Sequence, residues 1–237
     1  SGRMLTFLPE QVRNLPGVRY AVTSNGAAAH DLETGEKIYT DYLPMDLVEK
    51  IVAAVPASVT MLEVYVDGKS YTSRECYENI PNYRFPPEYG VFLLRKRTVV
   101  DDIMKHLREN DLQVEKINLP HQAEPLHTEL WNQLEAMGGL ALVSSQPNNI
   151  EINAAGTNKG AALVALCKHL GIPMEDVMAL GDSGNDLDML RLSGFPVAMA
   201  NAEERVKKVA RVVTASYLED GVAQAVEKYV LHEEAEK

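Results

Sequence analysis

The feature that most constrains this fold is an apolar run followed at once by a polar, glycine-containing turn. Val177–Leu180 is wholly apolar, and the turn reads Gly181-Asp182-Ser183-Gly184-Asn185-Asp186 before a helical pattern begins. A short apolar run of this kind is typical of a parallel strand that is buried on both faces. Because open α/β sheets bind ligands beyond the carboxyl ends of their strands, the sequence predicts a functional site at this turn.

The turn carries three candidate metal ligands, Asp182, Asn185 and Asp186. Carboxylate and amide oxygens suit Mg²⁺, which takes one or two protein carboxylates and fills its other positions with water and substrate phosphate. Helix capping is the alternative role, since Asn and Asp are ordinary N-cap residues. Capping needs only one such residue, however, and does not account for Asp182 directly after the strand.

Lys159 is the second candidate for a chemical role. It lies in the first turn of a predicted helix over 159–170 that ends at Gly171. The positive end of a helix dipole disfavours a lysine there, and the same helix start can donate N–H groups to phosphate. This unfavourable position is explained if the Lys159 side chain lies beside an anion. An exposed lysine that tolerates its position is the alternative, and the neighbouring Asp182 turn favours the anion.

The composition of the chain argues against nucleic-acid and membrane partners. The net charge of -11 disfavours nucleic acid, which would require a basic face. No apolar run approaches the roughly 20 residues of a membrane span, so we expect no membrane partner. The two cysteines, Cys76 and Cys167, are too few for a disulfide framework and favour a cytoplasmic location.

The pattern of predicted helices and strands changes along the chain. Residues 4–15 are predicted to form a helix, Tyr20–Thr23 the first strand of a βαβ unit, and His30–Leu43 a hairpin. After a helix over 44–55, the middle of the chain pairs strands with helices between them, as in an α+β module with an antiparallel sheet. From residue 153, helices and strands alternate strictly, which is typical of a doubly wound α/β fold.

Within the middle of the chain we expect further elements from the periodicity of apolar residues. The expected helices cover 73–79, 99–110 and 124–137, and the expected strands cover 59–66, 90–94, 113–117, 139–144 and 150–153.

Three motifs in this order resemble the haloacid dehalogenase superfamily, specifically its Cof-type phosphatases. The motifs are Lys159-Gly160 downstream of Ile150-Glu151-Ile152, the turn Gly181-Asp182-Ser183-Gly184-Asn185-Asp186, and Ala198-Met199-Ala200-Asn201-Ala202. The resemblance implies a Rossmann-like α/β core with a doubly wound, mostly parallel sheet and an inserted α+β cap domain. The core would comprise residues 1–43 and 153–237, and the cap residues 44–152.

The resemblance also implies site residues. Lys159 would bind the transferring phosphoryl group, Asp182 would ligate Mg²⁺, and Asn185 and Asp186 would complete the metal and lysine environment, with Lys159 and Asp182 as the catalytic residues. The family's Thr/Ser-Gly-Arg motif, whose hydroxyl contacts phosphate, is matched by Ser1-Gly2-Arg3.

Asn25-Gly26 matches the family's Asn-Gly turn, so the phosphate-binding set implied by the resemblance is Ser1, Gly2, Asn25, Gly26 and Lys159. The function implied is a Mg²⁺-dependent phosphatase of small phosphorylated metabolites, such as sugar phosphates. Such a protein would act as a monomer or homodimer, without a nucleic-acid or membrane partner.

One family motif does not occur in these residues. Such enzymes carry Asp-x-Asp-Gly-Thr on the first core strand, the first aspartate attacking phosphorus, and Asp186-Leu187-Asp188 resembles it only superficially because it runs on into a helix. We expect a segment before Ser1 to carry this motif and strand. Added residues before a start at Met4 are the alternative explanation of Ser1-Gly2-Arg3. The alternative function is a non-catalytic phosphate- and Mg²⁺-binding or regulatory protein.

Overall fold

The computed structural model describes residues 1–83, 85, 97–120, 125–144 and 148–231. The chain forms two compact units, Ser1–Thr157 and Asn158–Lys237. Within the described ranges, no helix is both long enough and apolar enough to cross a membrane. The strand expected over 90–94 lies outside the described residues.

The first unit begins with short helical turns and an antiparallel meander. A 3₁₀ turn, Leu5–Phe7, and helix α1, Glu10–Arg13, replace the single helix predicted over 4–15. The prediction was wrong because Pro9 disfavours a helical conformation at the residue before it, and Leu8 is extended (φ −64°, ψ 131°). The meander comprises β1 (Tyr20–Thr23), β2 (Ala28–Asp31) and β3 (Lys37–Thr40) in the order β1-β2-β3.

The meander also corrects the βαβ expectation at Tyr20–Thr23. Thr23 pairs with Ala28 in an antiparallel ladder, and the connection is the short turn through Ser24–Gly26. A parallel partner would need a crossover of about a dozen residues or more, and this connection is too short. The hairpin predicted over 30–43 is confirmed in β2 and β3, which pair antiparallel.

A mixed sheet of order β6-β5-β4-β7-β9-β8 forms the centre of the first unit. Its strands are β4 (Glu63–Val66), β5 (Lys69–Ser73), β6 (Arg97–Val100), β7 (Lys116–Pro120), β8 (Leu140–Val143) and β9 (Asn149–Ala154). The helices of this part are α2 (Met45–Ala54), α3 (Arg74–Glu78), α4 (Ile103–Glu109) and α5 (Leu126–Met137).

The two faces of this sheet differ in character. Val64, Ile117 and Ile152 are cross-strand neighbours on one face, and they share the apolar core with side chains of α2, α4 and α5. The alternate residues Glu63, Asn118 and Glu151 are neighbours on the opposite face and are also buried. The strand pattern therefore produces an apolar core on one face and a buried polar network on the other.

Two expected elements of this unit were misplaced. Val99 and Val100, predicted as helix, lie in β6, because β6 pairs parallel with β5 and the helix begins only after Asp102, whose carboxylate caps it. The strand expected over 113–117 is β7, which begins at Lys116. Val114 forms only an isolated bridge to Leu43, and the ladders to β4 and β9 start further along the chain.

The second unit shows the strict alternation that the sequence predicts. It contains α6 (Lys159–Leu170), β10 (Met178–Gly181), α7 (Leu187–Leu192), β11 (Phe195–Ala198), α8 (Glu204–Lys207), β12 (Val212–Val213) and α9 (Gly221–Val226). Its strands pair parallel in the order β10-β11-β12, and Gly171 ends α6 in a left-handed conformation (φ 68°). The α/β fold class is confirmed. The division into core residues 1–43 and 153–237 and cap residues 44–152 stays a prediction.

Candidate active site

The predicted site turn follows directly on β10, as the sequence indicated. Gly181, the last residue of that strand, pairs with Ala198 of β11. A Cβ atom at position 181 would lie 2.5 Å from the Cβ of Asp186, far inside van der Waals contact. Glycine at this position therefore lets the turn fold back against the end of its own strand.

Asp186 closes the turn. Its Oδ2 accepts hydrogen bonds from the backbone N–H groups of Asp182, at 3.0 Å, and Ser183, at 3.1 Å. Ser183 caps the short helical turn Gly184–Asp186 in a capping box with Asp186. The capping role that the sequence left open is thus filled by a serine and an aspartate together, and it uses only one of the two carboxylate oxygens of Asp186.

The other oxygen of Asp186 binds Lys159. Lys159 Nζ lies 2.7 Å from Asp186 Oδ1 and 3.0 Å from Asn185 Oδ1. The lysine side chain is 13% exposed and the aspartate side chain 9% exposed. Asn158 caps the helix by accepting from Ala161 N at 2.8 Å. The structure therefore brings together three of the predicted site residues and leaves the lysine side chain partly exposed.

Helix packing helps to fix the position of Lys159. The next residue, Gly160, lies against α7, where a Cβ atom at position 160 would come within 2.8 Å of the backbone carbonyl carbon of Asp188. No side chain longer than a hydrogen fits there without moving backbone. Gly160 therefore allows the first turn of α6 to lie directly against α7.

Asp182 is the remaining carboxylate of the turn. Its Oδ1 accepts from Ser183 Oγ at 3.1 Å and its Oδ2 from Asn201 Nδ2 at 3.0 Å. Both donors are neutral, and within the described part of this unit no lysine or arginine forms an ion pair with Asp182. The carboxylate is therefore oriented by hydrogen bonds while its charge is left for another partner.

Carboxylate and amide oxygens of the kind found in this turn are ligands that Mg²⁺ takes in proteins. Among the residues that the structure describes, no three His, Cys, Asp or Glu side chains are grouped so that they could hold a metal ion. Mg²⁺ does not need such a group, because it is commonly bound through one or two protein carboxylates plus water and phosphate. Asp182 alone meets that smaller requirement.

Asn201 is a site residue to which the sequence assigned no role. It follows β11, its Nδ2 donates to Asp182, and its Oδ1 accepts from the backbone N–H of Tyr217 at 3.2 Å. The signal available in the sequence was its place after a strand of the α/β alternation, since functional groups gather beyond the carboxyl ends of parallel strands. That this strand lies next to β10 is seen only in the structure.

Glu203 supports the same turn. Its backbone N–H donates to Asp182 O at 3.0 Å, and its Oε1 accepts from Gly184 N, also at 3.0 Å. The Arg205 guanidinium beside it lowers the pKa of the Glu203 carboxyl, so this acceptor stays ionised.

The other predicted phosphate-binding residues lie together in the first unit. Asn25 N donates to Ser1 O at 3.0 Å, and Lys116 Nζ donates to Gly2 O at 2.5 Å. Asn25 and Gly26 both have positive φ angles, 62° and 107°. The Asn25 amide donates to Glu151 Oε2 at 2.6 Å. These residues belong to the first compact unit, whereas Lys159 and the Asp182 turn belong to the second.

The sequence profile of the haloacid dehalogenase-like hydrolases matches residues 1–226. The chain belongs to this family. This match confirms the resemblance that the sequence motifs indicated. The prediction that the chain is a phosphatase of this family is also confirmed.

Three relatives illustrate the match. Phosphatase YwpJ of Bacillus subtilis is 30% identical over 221 residues, which cover 86% of this chain and 77% of YwpJ. The 5-amino-6-(5-phospho-D-ribitylamino)uracil phosphatase YcsE of B. subtilis is 41% identical over 116 residues, 49% of this chain and 47% of YcsE. A solved haloacid dehalogenase-like hydrolase from B. subtilis is 27% identical with a TM-score of 0.71, covering 89% of this chain and 79% of that structure.

Proposed function

We propose that the protein is a Mg²⁺-dependent phosphatase that hydrolyses small phosphorylated metabolites, such as sugar phosphates, through an aspartyl-phosphate intermediate. The observation that carries the proposal is the position of Lys159, which Asp186 and Asn185 hold at 2.7 and 3.0 Å beside the turn that follows a parallel strand. The phosphatase names of relatives support the reaction class.

In this proposal Lys159 acts on the phosphoryl group. A dianionic phosphate ester repels any anionic nucleophile, and phosphoryl-transfer enzymes lower that barrier mainly by positioning and by stabilising charge on the equatorial oxygens. The ammonium of Lys159 supplies such a charge. Asp186 and Asn185 hold it by two hydrogen bonds, so little reorganisation is needed when the substrate arrives.

Asp182 is the carboxylate that we propose as the main protein ligand of Mg²⁺, with Asn185 and Asp186 completing the surroundings of the metal and the lysine. Its hydrogen bonds come from neutral donors, Ser183 Oγ and Asn201 Nδ2, which leave its negative charge in place. When bound, Mg²⁺ would neutralise charge on the phosphoryl oxygens and orient the phosphate.

We extend the phosphate-binding assignment to Ser1, Gly2, Asn25 and Gly26. In support, the backbone N–H of Asn25 donates to the Ser1 carbonyl at 3.0 Å, so the two matched motifs lie against each other. The nucleophile of the aspartyl-phosphate mechanism is an aspartate of the Asp-x-Asp-Gly-Thr motif, which does not occur in the 237 residues, and we place it outside them. We also propose that the cap excludes water and selects the leaving group, and that the protein acts in the cytoplasm as a monomer or homodimer.

The test is phosphate release by the protein expressed from its own reading frame. The substrates would be p-nitrophenyl phosphate and a panel of sugar phosphates, each assayed with Mg²⁺ and with chelator. We expect release only with Mg²⁺, and a loss of about 100-fold or more in Lys159→Ala, comparable to the removal of one charge-stabilising group elsewhere. Lys168→Ala is the matched control, because Lys168 is an exposed lysine in the last turn of the same helix. Undiminished release by Lys159→Ala would overturn the proposal.

A further inference from the structure

The segment after β11 holds the Asp182 turn by several separate contacts. Asn201 Nδ2 donates to Asp182 Oδ2 at 3.0 Å, Glu203 N donates to Asp182 O at 3.0 Å, and Gly184 N donates to Glu203 Oε1 at 3.0 Å. The two backbone contacts fix the path of the turn. Only the Asn201 contact reaches the carboxylate of Asp182 itself.

The amide of Asn201 has a defined orientation. Its Oδ1 accepts from Tyr217 N at 3.2 Å, which places the Nδ2 group toward Asp182. Tyr217 begins the 3₁₀ turn Tyr217–Glu219 after β12. Asn201 therefore links the segments that follow β10, β11 and β12, at the carboxyl ends of all three parallel strands.

The hydrogen bond from Asn201 to Asp182 is not needed to satisfy a buried polar group. Asn201 is exposed, so its polar atoms could be hydrated without cost, and the core of the unit does not depend on its side chain. An ionised carboxylate offers about four lone-pair positions on its two oxygens, and Asn201 and Ser183 occupy one each. The remaining positions stay available in a fixed orientation.

We propose that Asn201 is a positioning residue that orients the Asp182 carboxylate toward Mg²⁺. The inference rests on the proposed function, because it takes Asp182 as the metal ligand. Groups that hydrogen-bond to metal ligands fix their orientation, and removing such a group typically weakens metal binding by about 10- to 100-fold. A neutral amide provides this orientation without reducing the negative charge that attracts the cation.

The experiment measures metal affinity directly, by titrating the full chain with Mn²⁺ and following free Mn²⁺ by electron paramagnetic resonance, then displacing it with Mg²⁺. Asn201→Ala removes the donor to Asp182, and Asp182→Asn removes the ligand charge. Gln224→Ala is the matched control: the exposed Gln224 amide donates to Glu219 O at 2.7 Å and so supports the same 3₁₀ turn without touching Asp182.

We expect Asn201→Ala to bind both metals about 10- to 100-fold more weakly than wild type, and Gln224→Ala to bind them as tightly as wild type. Wild-type affinity in Asn201→Ala, or an equal loss in Gln224→Ala, would overturn the inference and leave the proposed function standing. A wild-type chain that binds no Mn²⁺, or an Asp182→Asn chain that binds it equally well, would instead overturn the metal site and the inference with it.

Discussion

Lys159 Nζ and Asp186 Oδ1 lie 2.7 Å apart, and the two side chains are 13% and 9% exposed. The aspartate is at the same time the acceptor for two backbone N–H groups of the turn, those of Asp182 and Ser183. One carboxylate therefore fixes both the candidate phosphate-binding cation and the path of the candidate metal-binding turn. This double use makes Asp186 the residue on which the geometry of the site depends most.

Asp186→Asn is expected to damage both stability and activity. An amide has one oxygen, so its NH₂ group must face either Lys159 Nζ or the backbone N–H groups, and in each case a donor meets a donor. We expect a loss of about 3 kcal/mol in the free energy of unfolding, because a largely buried charge loses its partner. Urea denaturation followed by circular dichroism measures this loss, and phosphate release should fall with it.

Asp188→Asn is the control for this prediction. Asp188 belongs to the first turn of α7, is 51% exposed and lies 3.6 Å from Arg191. Exposed pairs of this kind contribute little, so a change within about 0.5 kcal/mol is expected. Equal losses in the two variants would show that the Lys159 pair has no special role in the stability of this unit.

Local sequence signals were sufficient for the second unit. The apolar run before Asp182, the glycine that ends α6 and the alternation of helices and strands all act over a few residues, and each predicted element is present. Lys159 and Asp182 could be selected because their positions at a helix start and a strand end are themselves local. Asn201 could not be assigned a role, because its contact with Asp182 depends on the pairing of β10 with β11.

The first unit shows where local signals fail. The alternation in β7, with Lys116 and Asn118 between apolar residues, is the pattern of a strand with one solvated face. Instead, both side chains are buried and paired, Lys116 with Glu151 at 2.8 Å and Asn118 with Glu63 at 2.7 Å. Burial of a polar strand face depends on partners distant in the chain, which no short window contains.

Gly160→Ala is predicted to destabilise the protein, although helix propensity alone would predict that it stabilises the helix. Alanine is favoured over glycine inside a helix by about 1 kcal/mol. Here the new methyl group would lie 2.8 Å from the carbonyl carbon and 2.9 Å from the carbonyl oxygen of Asp188, and backbone atoms cannot rotate away. We expect the clash to prevail, with a net loss of about 1 to 3 kcal/mol, as in other overpacked sites. Thermal and urea unfolding would measure it.

Gly184→Ala gives the contrasting case. A Cβ atom there would meet Arg205 Nη2 at 2.1 Å, but this is the end of a flexible side chain that is 64% exposed. The arginine can move aside, so a change of no more than about 0.5 kcal/mol is expected for this control.

The outcome that would contradict the prediction for position 160 is a Gly160→Ala variant more stable than wild type. It would mean that α6 and α7 separate at little cost.

Glu115 is predicted to make stability depend on pH. Its side chain is fully buried, accepts from Ser24 Oγ at 3.0 Å and lies 4.0 Å from Lys37 Nζ, and burial raises the pKa of its carboxyl above the ordinary 4.5. The folded chain thus holds this proton more tightly than the unfolded chain. Its contribution to stability is greatest below pH 4.5 and is lost as the pH rises through the raised pKa.

The variant Glu115→Gln cannot titrate at this position, so its free energy of unfolding should fall less than that of wild type between about pH 4 and pH 7. Urea denaturation at several pH values gives the two profiles. Glu36→Gln, which changes an exposed glutamate of the same unit, should follow wild type. Parallel profiles for wild type and Glu115→Gln would contradict the prediction.

Arg97 and Glu63 form the most deeply buried ion pair of the described residues, with side chains 1% and 0% exposed and Nε 2.5 Å from Oε1. Asn118 Nδ2 also donates to Glu63, at 2.7 Å. Arg97→Met keeps the length of the side chain but leaves a buried carboxylate with only neutral donors. We therefore expect a loss of about 3 to 5 kcal/mol in the free energy of unfolding.

Arg74→Met provides the matched comparison, because Arg74 forms the same kind of pair with Asp101 at 2.8 Å, but with side chains 58% and 84% exposed. This variant should lose less than about 1 kcal/mol. Adding Glu63→Gln to Arg97→Met should restore part of the lost stability, since an amide needs no cation. If the double variant were no more stable than Arg97→Met alone, lost packing of the arginine would account for the effect, and the buried charge would not.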